Sequence, residues 1–97
     1  MPTYIVLSKW TDQGIRDVKG TPERLRQYEQ AGQSLGVRLA AWYLTMGEYD
    51  NVALVEAPDD ETMARIALTL GSQGNVRTTT LKAFSRDEFE RIVRSLG

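Results

Sequence analysis

The sequence predicts an α+β fold in the order β-α-β-β-α-β, with a further helix at the C-terminus. Three observations lead there. Runs of β-branched and aromatic residues alternate with segments of helical periodicity. A glycine turn joins two of these runs directly, which makes them antiparallel neighbours. Two runs are apolar at every position, so both of their faces need cover. The length of 97 residues predicts one domain spanning 1–97.

The first strand is Thr3 to Ser8, rich in β-branched and aromatic residues over a strand's usual length. Thr11 to Val18 reads as a short helical turn, with Thr11 as N-cap and Gly20 ending it. A longer helix begins at Thr21, with Pro22 at its first position and Glu23 complementing the positive end of the dipole. Leu25, Tyr28, Gly32 and Leu35 recur on one face of it, and Gly36 stops it. Val37 to Thr45 and Asp50 to Glu56 are the second and third strands, joined by a short hairpin turn at Gly47-Glu48. Pro58-Asp59-Asp60-Glu61 opens the second long helix with a proline, a capping Asp and two further carboxylates. Its apolar stripe is Met63, Ile66, Ala67 and Leu70, and Gly71 or Gly74 ends it. Asn75 to Phe84 is the fourth strand. Ser85-Arg86-Asp87-Glu88 is a capping box that starts a last helix striped by Phe89, Ile92, Val93 and Leu96.

This order is the split βαβ, or ferredoxin-like, arrangement. Right-handed crossovers put strands 1 and 3 in the middle of a four-stranded antiparallel sheet, with both long helices on one face. Tyr4-Ile5-Val6-Leu7 and Val52-Ala53-Leu54-Val55 are nonetheless apolar toward both faces. Each large side chain left on the uncovered face forgoes roughly 1.5–3 kcal/mol of burial. Four of them approach a small domain's whole stability of about 5–15 kcal/mol. A second copy of the same sheet, packed face to face about a two-fold axis, is the simplest cover and encloses a barrel. The expected partner is therefore the chain itself.

Composition narrows the function classes. At 41% hydrophobic and 26% charged the chain reads as globular and not disordered. No apolar run approaches the roughly 20 residues of a membrane helix. Met1-Pro2-Thr3-Tyr4 lacks the basic start of a signal peptide, so a cytoplasmic location without membrane partners is expected. Twelve basic against 13 acidic residues leave no electrostatic footprint for nucleic acid. With no Cys, disulfides, thiolate catalysis and Cys-ligated metal are excluded. The lack of His removes the commonest general base near neutral pH, the commonest zinc ligand and the usual haem ligand. Chemistry must use Asp, Glu, Lys, Tyr, Arg or a bound cofactor, and the residues specify neither a metal nor a cofactor.

Five segments carry a resemblance. They are Pro2-Thr3-Tyr4-Ile5-Val6-Leu7, Thr11-Asp12-Gln13-Gly14-Ile15-Arg16, Gly47-Glu48-Tyr49-Asp50, Glu56-Ala57-Pro58-Asp59-Asp60 and Gly74-Asn75-Val76-Arg77-Thr78-Thr79-Thr80. Together, in this order and over almost the whole chain, they resemble the GYD domain family, named for a Gly-x-Tyr-Asp-like turn. The resemblance implies membership of the dimeric α/β barrel superfamily, in agreement with the uncovered sheet face. It implies no single function. Relatives in that superfamily include cofactor-free monooxygenases, lactone isomerases, haem-degrading enzymes and plain ligand-binding modules, and fold does not choose among them.

Several side chains are candidates for a site. Asp50 shares parity with Val52, Leu54 and Glu56, and Tyr49 with Asn51, Ala53 and Val55; the sequence leaves open which set faces a cavity. Asp50 is either a general base with its pKa raised by partial burial, beside the Tyr49 hydroxyl, or a cap on the hairpin turn with Tyr49 packed on a helix. Arg77 and the hydroxyls of the Thr78-Thr79-Thr80 run suit a small carboxylate or enolate, and Thr78, Thr80 and Lys82 share one strand face. The alternative is ordinary strand residues and a surface ion pair. Tyr4, Trp10, Trp42 and Tyr43 either line an apolar pocket or anchor the core and dimer interface. Asp59, Asp60 and Glu61 are read as helix-dipole compensation in preference to a cation site. Gly71-Ser72-Gln73-Gly74 follows a helix and precedes none, the reverse of a phosphate loop.

The leading function is a small-molecule-binding homodimer with a pocket between sheet and helices or inside the dimer barrel. Tyr4, Trp10, Trp42, Tyr49, Thr78 and Thr80 are its expected ligand contacts. A second reading is a cofactor-independent enzyme, monooxygenase- or isomerase-like, acting on a small aromatic or lactone-like substrate. Asp50 is then the base and Arg77 stabilises an anion. A third is a structural or regulatory module that offers its sheet face to a partner protein.

Overall fold

The computed structural model describes residues 1–97. The strands are β1 (Thr3–Trp10), β2 (Arg38–Leu44), β3 (Asn51–Glu56) and β4 (Val76–Ala83). The helices are α1 (Asp12–Arg16), α2 (Thr21–Gln33), α3 (Asp60–Ser72) and α4 (Arg86–Arg94), with a 3-10 turn at Val18–Gly20 before α2. The sheet order is β2-β3-β1-β4, antiparallel throughout. This is the ferredoxin-like βαββαβ arrangement with a C-terminal helix. β1 outruns its predicted end because Lys9 and Trp10 go on pairing with Arg77 and Val76.

The helix starts form as their residues dictate. The Asp59 carboxylate accepts from the Thr62 amide at 2.8 Å. Ser85 and Glu88 close a reciprocal capping box at the head of α4. These bonds stabilise the charged form, and they hold the Asp59 and Glu88 carboxyls below the usual carboxylate range. Gly14, in α1, answers a close approach: a Cβ there would come within 1.9 Å of the Asn75 carbonyl oxygen. That contact packs the Thr11-to-Arg16 segment against the start of β4, where Thr11 donates to Gly74 and Asn75 carbonyls.

The hairpin between β2 and β3 is one residue wider at each end than the short connection expected around Gly47-Glu48, between a strand ending at Thr45 and one starting at Asp50. The strands stop at Leu44 and restart at Asn51. Thr45 closes the loop, its amide donating to the Asp50 carbonyl at 2.9 Å and its hydroxyl to that of Tyr49 at 2.6 Å. Gly47 takes the positive φ of 124° near the tip. The reason for the width lies in Asp50, which serves β1 as well as the hairpin. Its amide donates to the Ser8 carbonyl at 2.8 Å, and its carboxylate accepts from the Trp10 amide at 2.9 Å.

The two sheet faces differ sharply. Tyr4, Val6 and Ser8 of β1 and Asn51, Ala53 and Val55 of β3 are buried toward α2 and α3. Met63 and Ala57 complete that core, with Val37, Leu39, Trp42 and Ile66 packed against it. Ile5, Leu7, Val52 and Leu54, on the opposite face, are only half-buried. The capped helix α4 makes no substantial packing contact with any other element, and Phe89, Ile92, Val93 and Leu96 along it are all exposed. The molecule is accordingly long and thin, 52 × 33 × 19 Å. No helix is long and apolar enough to cross a membrane.

Candidate functional site

Because α2 leans on β2 and α3 on β4, the helices stand apart over the centre of the sheet. A cavity of about 260 Å³ opens between them, and 15 of its 24 lining residues are hydrophobic. That volume is just below the ~300–1,000 Å³ of small-molecule sites. Val6, Ala53 and Val55 form its floor, and Trp10, Trp42 and Tyr28 present aromatic surfaces to it. The Tyr28 hydroxyl donates to Gln73 Oε1 at 2.5 Å, tying α2 to the end of α3. Arg24 also lines the cavity, but Asp17 holds its guanidinium at 2.7 Å.

Parity decides the orientation that sequence left open. Asn51, Ala53 and Val55 point toward the helices; Val52 and Leu54 take the opposite face. Ser8 and Asn51, the two polar members of the inward set, lie directly opposite each other in the β1–β3 register. They are 6% and 5% exposed, and both line the cavity.

A smaller pocket of about 210 Å³ lies beside α3, lined by Tyr4, Asp60, Met63, Thr80 and Lys82 among others. The Tyr4 hydroxyl donates to the Asp60 carboxylate, and Lys82 Nζ sits 3.1 Å from the same group. The Tyr4–Asp60 hydrogen bond, with burial and the negative charge behind it, pushes the phenol up to about 12. Asp60 is held below its usual range by Tyr4 first and Lys82 second. Asp60 thus bridges α3 to β1 and β4, beyond its expected place as a dipole-compensating residue.

The family model described as GYD domain matches residues 4–93. The chain belongs to the GYD domain family. It is 46% identical over 84 residues to a Thermus thermophilus protein named "Glutamine synthetase and cystathionine beta-lyase binding protein", covering 86% of this chain and 88% of that one. The crystal structure of TTHA0845 from Thermus thermophilus is similar with a TM-score of 0.54 at 30% identity, over 88% of this chain and 95% of that chain.

The GYD turn itself is a brace. Asp50 ties the hairpin to β1 through Ser8 and Trp10, and the Tyr49 ring lies 5.3 Å from Lys9 Nζ in cation–π contact. The candidate side chains are placed as follows. Trp10 and Trp42 line the main cavity; Tyr4, Thr80 and Lys82 line the smaller one. Thr78, Tyr49, Asp50 and Arg77 line neither. Arg77 is exposed and opposite Lys9, on the face away from the helices. The exposed Tyr43 pairs with Val52 and shares that face. Ser8, Asn51, Tyr28 and Arg24 join the site unforeseen. Ser8 and Asn51 did carry a signal, as polar residues within otherwise apolar strands.

Proposed function

We propose that this GYD domain is a small-molecule-binding homodimer whose binding site is the cavity between the sheet and α2/α3. The apolar cavity supports the ligand reading, since a structural core of this size would close over its floor and exclude such a volume. Trp10 and Trp42 are its aromatic contacts. Asp50 and Arg77 line neither cavity, so binding accounts for this lining better than catalysis by that pair does.

Exposed area supports the dimer. The chain presents 6790 Å² to solvent, whereas a compact monomer of 10.9 kDa presents about 5,600 Å². The excess of about 1,200 Å² exceeds the ~800 Å² that each partner buries in a standard interface. Ile5, Leu7, Val52, Leu54 and Leu81 on the uncovered face supply it, together with the apolar side of α4. Light scattering at micromolar concentration reads the mass: a two-chain particle is expected, and a 10.9 kDa particle would contradict the dimer. A thermal-shift screen with small aromatic compounds reads the cavity, and a flat response across the screen would remove the ligand reading.

A second reading rests on the relative named for binding glutamine synthetase and cystathionine β-lyase. We infer a protein-docking role for this chain as well, on the strength of 46% identity along most of both chains. Biolayer interferometry against purified glutamine synthetase and cystathionine β-lyase tests it; saturable binding to either is expected, and silence from both ends this reading.

A further inference from the structure

Among the buried inward-facing residues of the two central strands, four are apolar or aromatic and two form a polar pair. Ser8 and Asn51 are that pair, facing each other across β1 and β3 at one end of the cavity floor. Neither side chain has a hydrogen-bond partner in the protein, although each residue is more than nine-tenths buried. No polar side-chain atom is both sealed from solvent and unpartnered. The Ser8 hydroxyl and the Asn51 carboxamide therefore open onto the cavity. A ligand that covers these polar groups without bonding to them would incur the cost of an unpartnered polar group, and neither side chain is needed for the sheet ladder, which uses backbone groups alone.

The strand ends cannot slide to relieve the pair. Asp50 clamps them, its amide donating to the Ser8 carbonyl at 2.8 Å and its carboxylate accepting from the Trp10 amide at 2.9 Å. The pair shares the cavity lining with Trp10, and its polar atoms are open to whatever fills the space.

Charge decides what that is. Asn51 and Ser8 are neutral, and the cationic group of Arg24 is engaged by the Asp17 carboxylate at 2.7 Å and by the Asp17 carbonyl at 3.1 Å. Arg65 and Glu29, the other charged lining residues, are exposed. No free cation meets the floor, so a ligand carboxylate would lose its hydration without compensation. A neutral group that both donates and accepts would satisfy the Asn51 amide and the Ser8 hydroxyl together.

We propose that the Ser8–Asn51 pair selects a planar aromatic ligand carrying an uncharged donor–acceptor head such as a carboxamide, with the rings held between Trp10, Trp42 and Tyr28. This rests on the ligand reading of the cavity and adds the class of ligand to it. Three probes that share one ring system separate the two claims: 2-naphthamide, 2-naphthoate and 2-methylnaphthalene, each titrated calorimetrically or followed by tryptophan fluorescence.

The carboxamide is expected to bind about tenfold more tightly than either of the others, the worth of one well-made hydrogen-bonded pair. Asn51→Ala and Ser8→Ala should each remove most of that advantage, with the hydrocarbon binding at least as tightly as it does to the unmodified protein because it no longer covers an unpartnered polar group. Circular dichroism checks that the variants fold, and should Asn51→Ala not fold, Ser8→Ala carries the comparison. Equal binding of all three probes, or tightest binding of the carboxylate, overturns the polar selection while the cavity remains a ligand site. Failure of all three to bind the unmodified protein overturns both claims.

Discussion

The helix-covered face and the open face of the sheet use alternate residues of the same two central strands, with similar apolar content. On the covered side Tyr4, Val6, Ala53 and Val55 are buried. On the open side Ile5, Leu7, Val52 and Leu54 stay half-exposed. The covered face also tolerates polar groups, at Ser8 and Asn51, where the open face of β3 between its ends is purely aliphatic. A buried face and a half-exposed apolar face can thus be written into one strand. Side-chain alternation separates their tasks.

The largest effect should come from placing one charge on each face in turn. Val55→Asp buries an unpaired carboxylate in the core, which costs about 3–5 kcal/mol, a large part of a small domain's stability. Urea denaturation is expected to show most of the protein's stability lost. Leu54→Asp, one residue earlier, should leave the chain folded and, on the proposed dimer, halve the particle mass in light scattering. If both substitutions unfold the protein alike, the two faces are not distinct in kind.

A smaller loss is expected at the rim of the covered face. Gly14→Ala drives a methyl against the Asn75 carbonyl, 1.9 Å from the ideal Cβ position, and backbone must yield. Roughly 2–4 kcal/mol of stability should go, read in the same denaturation experiment. Gly71→Ala is the control, since a Cβ there meets nothing within 4 Å. Equal effects at the two glycines would show that α1 is not seated as described.

The smallest effect is pH-dependent and belongs to the covered face alone. Tyr4 has its phenol raised from 10.0 to about 12 in the folded chain. The stability it contributes is therefore complete below pH 10 and lost as pH rises toward 12. Asp60 runs the opposite way. Its lowered value makes its contribution present above the usual carboxylate range and lost as pH falls through the folded value. Tyr4→Phe should flatten the alkaline decline in melting temperature and shrink the acid one. An unchanged alkaline limb would mean that another group titrates there.

Much of the fold was legible in the chain alone. Runs of β-branched and aromatic residues and helical periodicity identified the elements, and Thr11, Asp59 and Ser85 cap helices as their types predict, because those signals act within a few residues. The site was less legible. Trp10 and Trp42, which the sequence left as either pocket lining or core and interface anchors, line the cavity, whereas Tyr28 and Arg24 reach it only because α2 crosses the sheet at a particular place. Asp50 stood out in sequence, yet its tie to the Trp10 amide spans 40 positions. No local pattern reports such a bond.

By itself the sequence determined the order of elements, the central place of β1 and β3, and the surplus of apolar residues on both of their faces. These follow from alternation, chirality and composition, which are properties of the chain. Tertiary structure alone decided which parity faces the helices, how far apart α2 and α3 stand, and that Ser8 meets Asn51 at the floor of the space between them. Those depend on register and on the volumes packed between layers. One residue of slip in β3 would exchange its faces and send Asn51 outward.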